Sequence, residues 1–81
     1  MLGPGLRCYS GTSNVDAIGS NCEELFPGTK YCAKITRSNT LMQSCGAPHV
    51  VLQFKRLGLQ GTGCITNTVG EFCLCAEDYC N

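Results

Sequence analysis

The chain has 81 residues, eight of them cysteine, and its six basic and six acidic residues give a formal net charge of zero. A neutral chain lacks the basic excess of nucleic-acid-binding domains, so no nucleic-acid partner is expected. No apolar run approaches the roughly 20 residues that span a bilayer, and the first residues lack the pattern of a secretory signal. So many cysteines in so short a chain indicate one disulfide-stabilised domain from an oxidising compartment, and hence a secreted or extracellular protein.

The first half of the chain predicts a short lead, a strand, a loop and a hairpin. Residues 1–5 contain two glycines and a proline and are expected to form a flexible lead, so that the single domain spans residues 6–81. Residues 6–9 alternate as in a strand, and residues 10–21, rich in Gly, Ser, Thr and Asn, are interpreted as a loop. The alternation of residues 30–37, the turn residues 38–39 and the return over residues 40–45 predict an antiparallel hairpin.

The second half contains one ambiguous segment and a second hairpin. Between Pro48 and Leu59 the apolar residues fit a helical stripe and also fit the alternation of a strand, so both structures stay open. Residues 65–72, which lie between Cys64 and Cys73, predict a tight hairpin.

Charge is distributed unevenly along the chain. The segment between Phe26 and Gly70 carries five basic residues and no acid, whereas the two flanking segments together carry a charge of −5. This separation either steers the middle segment toward an acidic partner or lipid head group, or reflects basic and acidic strands that lie side by side.

The cysteine pattern is the most specific feature of the chain. Eight cysteines allow on the order of a hundred pairings, and geometry alone adds only that Cys73 and Cys75, on one side of a strand, need separate partners. The chain opens with the motif Leu6-x-Cys8-Tyr9 and closes with Cys73-x-Cys75-x4-Cys80-Asn81, in which Asp78 lies two residues before the last cysteine. These motifs resemble those of the three-finger LU superfamily, which includes lymphocyte-antigen-six and urokinase-receptor domains and snake three-finger toxins. The Cys-x-Cys spacing is similar to that of many invertebrate members.

The resemblance implies an all-β, small disulfide-rich three-finger fold, in which four bridges join a palm to three loops. When the disulfide pairing of the family is transferred to this chain by the order of its cysteines, the implied bridges are Cys8–Cys32, Cys22–Cys45, Cys64–Cys73 and Cys75–Cys80. Finger I then lies between Cys8 and Cys22, finger II is the first hairpin, and finger III falls within residues 46–72. Asn81 matches the family's terminal asparagine, whose amide bonds the palm backbone, so its implied role is structural.

Two departures from the family pattern affect the fingers. Many cell-surface members carry an extra bridge in finger I, where this chain has Ser10 and Gly11. The segment between Cys45 and Cys64 is longer than the one inside the third bridge, whereas many members show the reverse. The course of finger III and the structure of residues 48–59 therefore stay open.

No metal, cofactor or catalytic site is predicted. Only Cys75 and Cys80 have the spacing of a zinc knuckle, and the chain offers no second pair. The only histidine, His49, is interpreted as a loop residue, and bridged cysteines leave no thiolate nucleophile. An enzyme is therefore not expected.

The function that the resemblance implies is binding. The expected protein is an extracellular interaction domain that binds a receptor, channel or adhesion partner, with a possible lipid (GPI) anchor beyond residue 81 that would hold it on the outer face of the plasma membrane. A secreted toxin-like modulator of a receptor or ion channel, and the ligand-binding ectodomain of a growth-factor-type receptor, share the fold and remain alternatives. The oligomeric state is not predicted.

Two groups of residues are candidate contacts. The first group is the tip of finger II: Arg37, Ser38, Asn39, Thr40 and Leu41. The competing interpretation is a solvated turn without a binding role, because hairpin tips are usually polar. The second group consists of one residue of the predicted hairpin and four residues of the later amphipathic segment: Lys34, Phe54, Lys55, Arg56 and Leu57. The amphipathic segment also fits two other interpretations, binding to a membrane surface and packing over the palm.

Overall fold

The structure, a computed structural model, describes residues 5–12 and 18–81. Its strands are β1 Arg7–Thr12, β2 Ile18–Asn21, β3 Tyr31–Arg37, β4 Thr40–Gly46, β5 Gly63–Thr66 and β6 Glu71–Cys75, and its helices are α1 Cys22–Leu25 and α2 Pro48–Arg56. The six strands form one antiparallel sheet in the order β2-β1-β4-β3-β6-β5. Consecutive strands pair as three hairpins, here called fingers I, II and III. The predicted small, disulfide-rich all-β three-finger fold is confirmed.

Finger I contains more regular structure than its sequence predicts. The loop prediction for residues 10–21 is wrong at both ends, because β1 continues to Thr12 and β2 begins at Ile18. Pairing of Tyr9 with Gly19 and of Ser10 with Ile18 continues the two strands into a segment whose glycine and asparagine residues are of types depleted in strands, so local propensity does not reveal it. Residues 13–17 of this loop, and residues 1–4 of the predicted lead, lie outside the described part of the chain.

Finger II is the predicted hairpin. Its two strands pair along their whole length, from Tyr31 opposite Gly46 to Arg37 opposite Thr40. The connection is a two-residue turn in which Ser38 has φ +51°. A positive φ at the first turn residue gives the twist that two-residue hairpin loops require.

The ambiguous segment after Pro48 forms a helix, so the loop interpretation of His49 is wrong. Proline presets the helical φ in the first turn, where its missing N–H has no intrahelical partner in any case. The helix ends in a Schellman motif: the N–H of Leu59 donates to the carbonyl of Phe54 at 3.0 Å, and the N–H of Gly58 donates to that of Lys55 at 3.0 Å. Gly58 has the left-handed φ of +108° that this motif needs.

The helix covers one face of the sheet and closes the apolar core. The rings of Phe54 in α2 and Phe72 in β6 meet edge to face at 5.6 Å between centroids. Buried Ala33, Leu59 and Leu74 complete this cluster. A core of only these few side chains is thin for an 81-residue domain, which is why such domains depend on covalent bridges. No helix among residues 5–12 and 18–81 is long and apolar enough to cross a membrane.

All eight cysteines lie in four bridges, and the pairs are those that the resemblance implies. The bridges are Cys8–Cys32, Cys22–Cys45, Cys64–Cys73 and Cys75–Cys80. The first two form a second buried cluster at the end of the sheet opposite the turn of finger II, and Cys75 packs against this cluster. This end of the sheet, with Cys8–Cys32, Cys22–Cys45 and Cys75–Cys80, is called the palm.

Candidate functional site

The tip of finger II is an exposed turn at the end of the longest strand pair. Arg37, Ser38, Asn39 and Thr40 are exposed, and Leu41 is half-buried. The seven paired positions of β3 and β4 separate this tip from the palm by roughly 20 Å, at about 3.3 Å per residue. The five predicted residues are thus brought together at one projecting end of the molecule.

The turn of finger III lies against the base of this tip. Gly70 comes so close to the carbonyl oxygen of Thr36 and to the side chain of Arg37 that any side chain at position 70 would overlap them. The turn itself is held by Asn67, whose Oδ1 accepts from the N–H of Val69 at 2.7 Å and from that of Gly70 at 3.2 Å. Fingers II and III therefore present one joint surface at the distal end of the sheet.

The second predicted group is split between the core and the surface. Phe54 is 2% exposed and belongs to the apolar core, so its side chain does not face a partner. Lys55, Arg56 and Leu57 are exposed. They lie beside Gly58, where an added Cβ would meet Ile65 of β5 at 3.0 Å. This places them near the β5 edge of the sheet, apart from the strand that carries Lys34.

The two faces of the sheet differ in what covers them. Ile35 and Phe72 pack against the cluster that includes α2, and both Met42 and Phe72 are directly opposite Ile35 on the neighbouring strands. Directly opposite residues share a face, so Met42 lies on the side of the sheet that α2 partly covers, here called the helix face. Alternation places Lys34 and Leu41 on the other side, here called the open face.

The side chain of Asn81 joins three strands of the palm through backbone hydrogen bonds, in agreement with the structural role that the family resemblance implies for it. Its Oδ1 accepts from the N–H of Tyr9 at 3.0 Å. Its Nδ2 donates to the carbonyls of Tyr9 at 3.0 Å, Ala33 at 2.8 Å and Ser44 at 3.2 Å. One amide thus bridges β1, β3 and β4, and fixes the strands from which fingers I and II extend.

Two of the clefts in the described part of the chain lie on the helix face beside residues 40–45 of β4. The inner cleft, of about 280 Å³, lies between the two helices and β1 and β4, and is lined by Ser10, Leu25, Phe26, Ser44, Cys45, Ala47, His49 and Val50. The outer cleft, of about 290 Å³, lies beside the tip of finger II and is lined by Arg37, Ser38, Thr40 and Met42. Only Arg37, Ser38 and Thr40 among these residues are predicted from the sequence as contacts.

The apolar wall of the inner cleft is the part of the surface that sequence reasoning missed. Leu25 and Phe26 are 58% and 42% exposed, and the rings of Phe26 and His49 meet edge to face at 5.9 Å. Proline before His49 is a signal of a helix start, but nothing local indicates that the first turn of α2 faces α1. That meeting depends on Cys22–Cys45, which joins the start of α1 to the end of β4.

The sulfur atoms do not offer an evident metal site. Among residues 5–12 and 18–81, three groups of side chains come within metal-binding reach of one another, and each contains at least two cysteines. All of these cysteines are bridged, and a bridged sulfur is not a thiolate ligand.

Comparison of the chain with models of known protein families, with curated protein sequences and with solved structures gives no match.

Proposed function

We propose that this chain is an extracellular, non-enzymatic interaction domain of the three-finger LU superfamily that binds a receptor, channel or adhesion partner through its finger loops. The cysteine motifs, the four bridges and the three hairpins support the family assignment. A full set of bridges is typical of an oxidising compartment, which supports an extracellular location.

The observation that carries the proposal is the rigid mounting of the finger II tip. Four consecutive exposed residues, 37–40, project from a strand pair that is bonded along its whole length. Bridges and the contact with finger III hold this turn in place before a partner arrives. A loop that is already ordered loses less conformational entropy on association, so more of its contact energy appears as affinity.

The first test is a binding screen with matched variants. The folded domain, multimerised through a terminal tag, is applied to cells that each express one cell-surface receptor, channel or adhesion protein. The proposal expects at least one specific partner and expects the paired substitution Arg37→Ala with Leu41→Ala to weaken that binding by about tenfold or more, as loss of a contact worth about 1.4 kcal/mol would do. The melting temperature should stay within a few degrees of the parent, because the tip lies outside the core.

Two further variants make the screen decisive. Lys30→Ala with Leu52→Ala removes one cation and one exposed leucine away from the tip and should leave binding unchanged. Lys55→Ala with Leu57→Ala tests the second candidate surface. Unchanged affinity of the tip variant, with loss in the α2 variant, would transfer the binding site to the C-terminal turn of α2. Absence of any partner across receptors, channels and adhesion proteins would refute the proposed function.

A further inference from the structure

Helix α2 leaves part of the helix face uncovered. Its core partners come from β3, β5 and β6, whereas Met42 in β4 is 41% exposed and Ile18 in β2 is 67% exposed. Ile18 is opposite Ser10, which lines the inner cleft, so its side chain extends the same face toward the sheet edge. Leu25 and Phe26 at the inner cleft add to this exposed apolar surface. Several exposed apolar side chains on one face are typical of an interaction site.

The two clefts on this face are consecutive along β4. Ser44 lines the inner cleft, and Met42 and Thr40 line the outer cleft. These three residues alternate along one strand, so their side chains lie on the same side, and the distance from the first to the last is about 13 Å at roughly 3.3 Å per residue. The two clefts with the β4 residues between them are here called the β4 groove.

The chemistry of the β4 groove changes from one end to the other. Leu25, Phe26 and the ring edge of His49 make the inner end apolar and aromatic. Arg37 lies at the outer end and is, among the residues that the structure describes, the only charged one that lines either cleft. No acidic residue lines the groove within the described part of the chain, so the guanidinium favours an occupant that carries a carboxylate.

We propose that the β4 groove binds an extended segment of a partner protein, which places an apolar or aromatic side chain in the inner cleft and a carboxylate near Arg37. At about 3.3 Å per residue, a span of about 13 Å separates these two side chains by about four positions. This inference rests on the proposed function, because it takes the partner to be a protein, and it names the surface and the partner chemistry.

The floor of the groove favours a polypeptide over an acyl chain of the same length. Hydroxyl groups of Ser10, Ser44 and Thr40 occur among the apolar side chains. A peptide main chain carries a donor and an acceptor at nearly every residue and can bond these hydroxyls. A fatty acyl chain would cover them without providing a hydrogen-bond partner, which is unfavourable.

The test selects ligands from a phage-displayed library of random twelve-residue peptides on the intact, disulfide-bonded domain. Selected sequences should share an apolar or aromatic residue and an acid about four positions apart. Synthetic copies should lose about tenfold or more in affinity for Met42→Glu and for Leu25→Glu, because a carboxylate in the groove repels the acidic ligand and replaces its apolar contact. For Arg37→Glu, a peptide with lysine in place of its acid should bind better than the original peptide.

The matched control is Leu52→Glu. Leu52 is 50% exposed, lines neither cleft and lies about one helical turn beyond His49. The same charge change there should alter peptide affinity by less than about twofold, an electrostatic effect without contact. Thermal melting and intact mass under non-reducing conditions establish that each variant is folded and bridged.

The remaining outcomes separate this inference from the proposed function. If selected peptides bind Met42→Glu as tightly as the parent but lose affinity for Leu41→Ala on the open face, the finger tip is the site and the groove inference is overturned. If no peptide is selected, the groove inference is overturned, and the receptor screen decides the proposed function separately. Saturable binding of sodium oleate that is lost in Met42→Glu, without peptide selection, would assign the groove to an acyl chain and also overturn the inference.

Discussion

Replacement of Asn81 should destabilise the whole domain, although this residue is only half-buried. Its amide makes four backbone hydrogen bonds, of 3.0, 3.0, 2.8 and 3.2 Å, to three strands. The two hydrogens of one NH₂ group are shared among three carbonyls, so the set counts as about three bonds. Asn81→Ala removes all of them.

The expected loss follows from the net value of these bonds. A typical intramolecular hydrogen bond contributes about 1 kcal/mol, so three contribute about 3 kcal/mol. Partial exposure lets water replace some of them, which reduces the expected cost of Asn81→Ala to about 2 kcal/mol. In a domain of this length 1 kcal/mol corresponds to about 4–8 °C in melting temperature, so the expected fall is about 8–16 °C.

Asn81→Asp sharpens the test because the shape of the side chain is nearly kept. A carboxylate oxygen replaces the donor and faces the carbonyls of Tyr9, Ala33 and Ser44, so at neutral pH this variant should be at least as unstable as Asn81→Ala. Repulsion by these oxygens raises the folded pKa of the introduced carboxyl above its unfolded value. Its protonated form is then favoured in the folded state, so the stability deficit should shrink as the pH falls through that folded pKa and grow again as the pH rises.

The assay is guanidinium or thermal unfolding with the disulfides intact, from pH 3 to pH 8 in steps of about one unit, a range that covers carboxyl titration. Asn67→Ala is the control, because Asn67 bonds only the N–H groups of its own turn, and it should cost no more than about 1 kcal/mol. A loss below about 0.5 kcal/mol for Asn81→Ala, or a deficit for Asn81→Asp that does not depend on pH, would refute the account of the palm.

Three further perturbations test other parts of the fold. Phe54→Ala should cost about 3–5 kcal/mol in unfolding free energy, because it empties the centre of the core under α2; a cost near that of an exposed position would show that α2 is not packed as described. Joint replacement of Cys64 and Cys73 by serine opens a loop of separation 9 and should cost about 2.5 kcal/mol, while peptide mapping still finds the other three bridges; scrambled bridges would contradict independent closure of finger III. Gly70→Ala should lower the melting temperature, since the added methyl overlaps the carbonyl of Thr36, and an unchanged value would mean that the turn of finger III does not lie against the base of the finger II tip.

The hairpins of fingers II and III were predictable because each is specified locally. Alternation from residue 31 to residue 37 and a polar two-residue turn are enough for finger II, and Asn67 with Gly70 provides the turn of finger III. The bridge pairs that the family resemblance implies also agree with the structure, whereas the cysteines without that resemblance leave on the order of a hundred pairings open. The sequence does not decide between a helix and a strand for the segment that forms α2, because a short apolar segment fits both the helical and the strand periodicity. Only its Schellman ending, with Gly58 in the left-handed region, identifies it as a helix.

The inner cleft could not be predicted from local sequence. Phe26 follows a four-residue helix, and His49 lies 23 positions further along the chain, so their contact depends on how a bridge draws the end of β4 to the start of α1. Exposure of Met42 is equally non-local. Alternation predicts that it shares a side with Ile35, but only the position of α2 determines which of the two is covered.

The early and late parts of the domain meet at the palm, which determines how the molecule can be held. The N–H of Arg7 donates to Asp78 at 2.9 Å, and the N–H of Tyr79 donates to the carbonyl of Arg7 at 2.7 Å. A tether attached beyond either residue therefore starts at the palm, the end of the sheet that is remote from the turns of fingers II and III. If the protein is immobilised on a sensor surface through such a tether, the turns of fingers II and III point away from that surface. Coupling through lysine amines would instead attach some of the molecules through Lys34, which lies in the sheet of finger II.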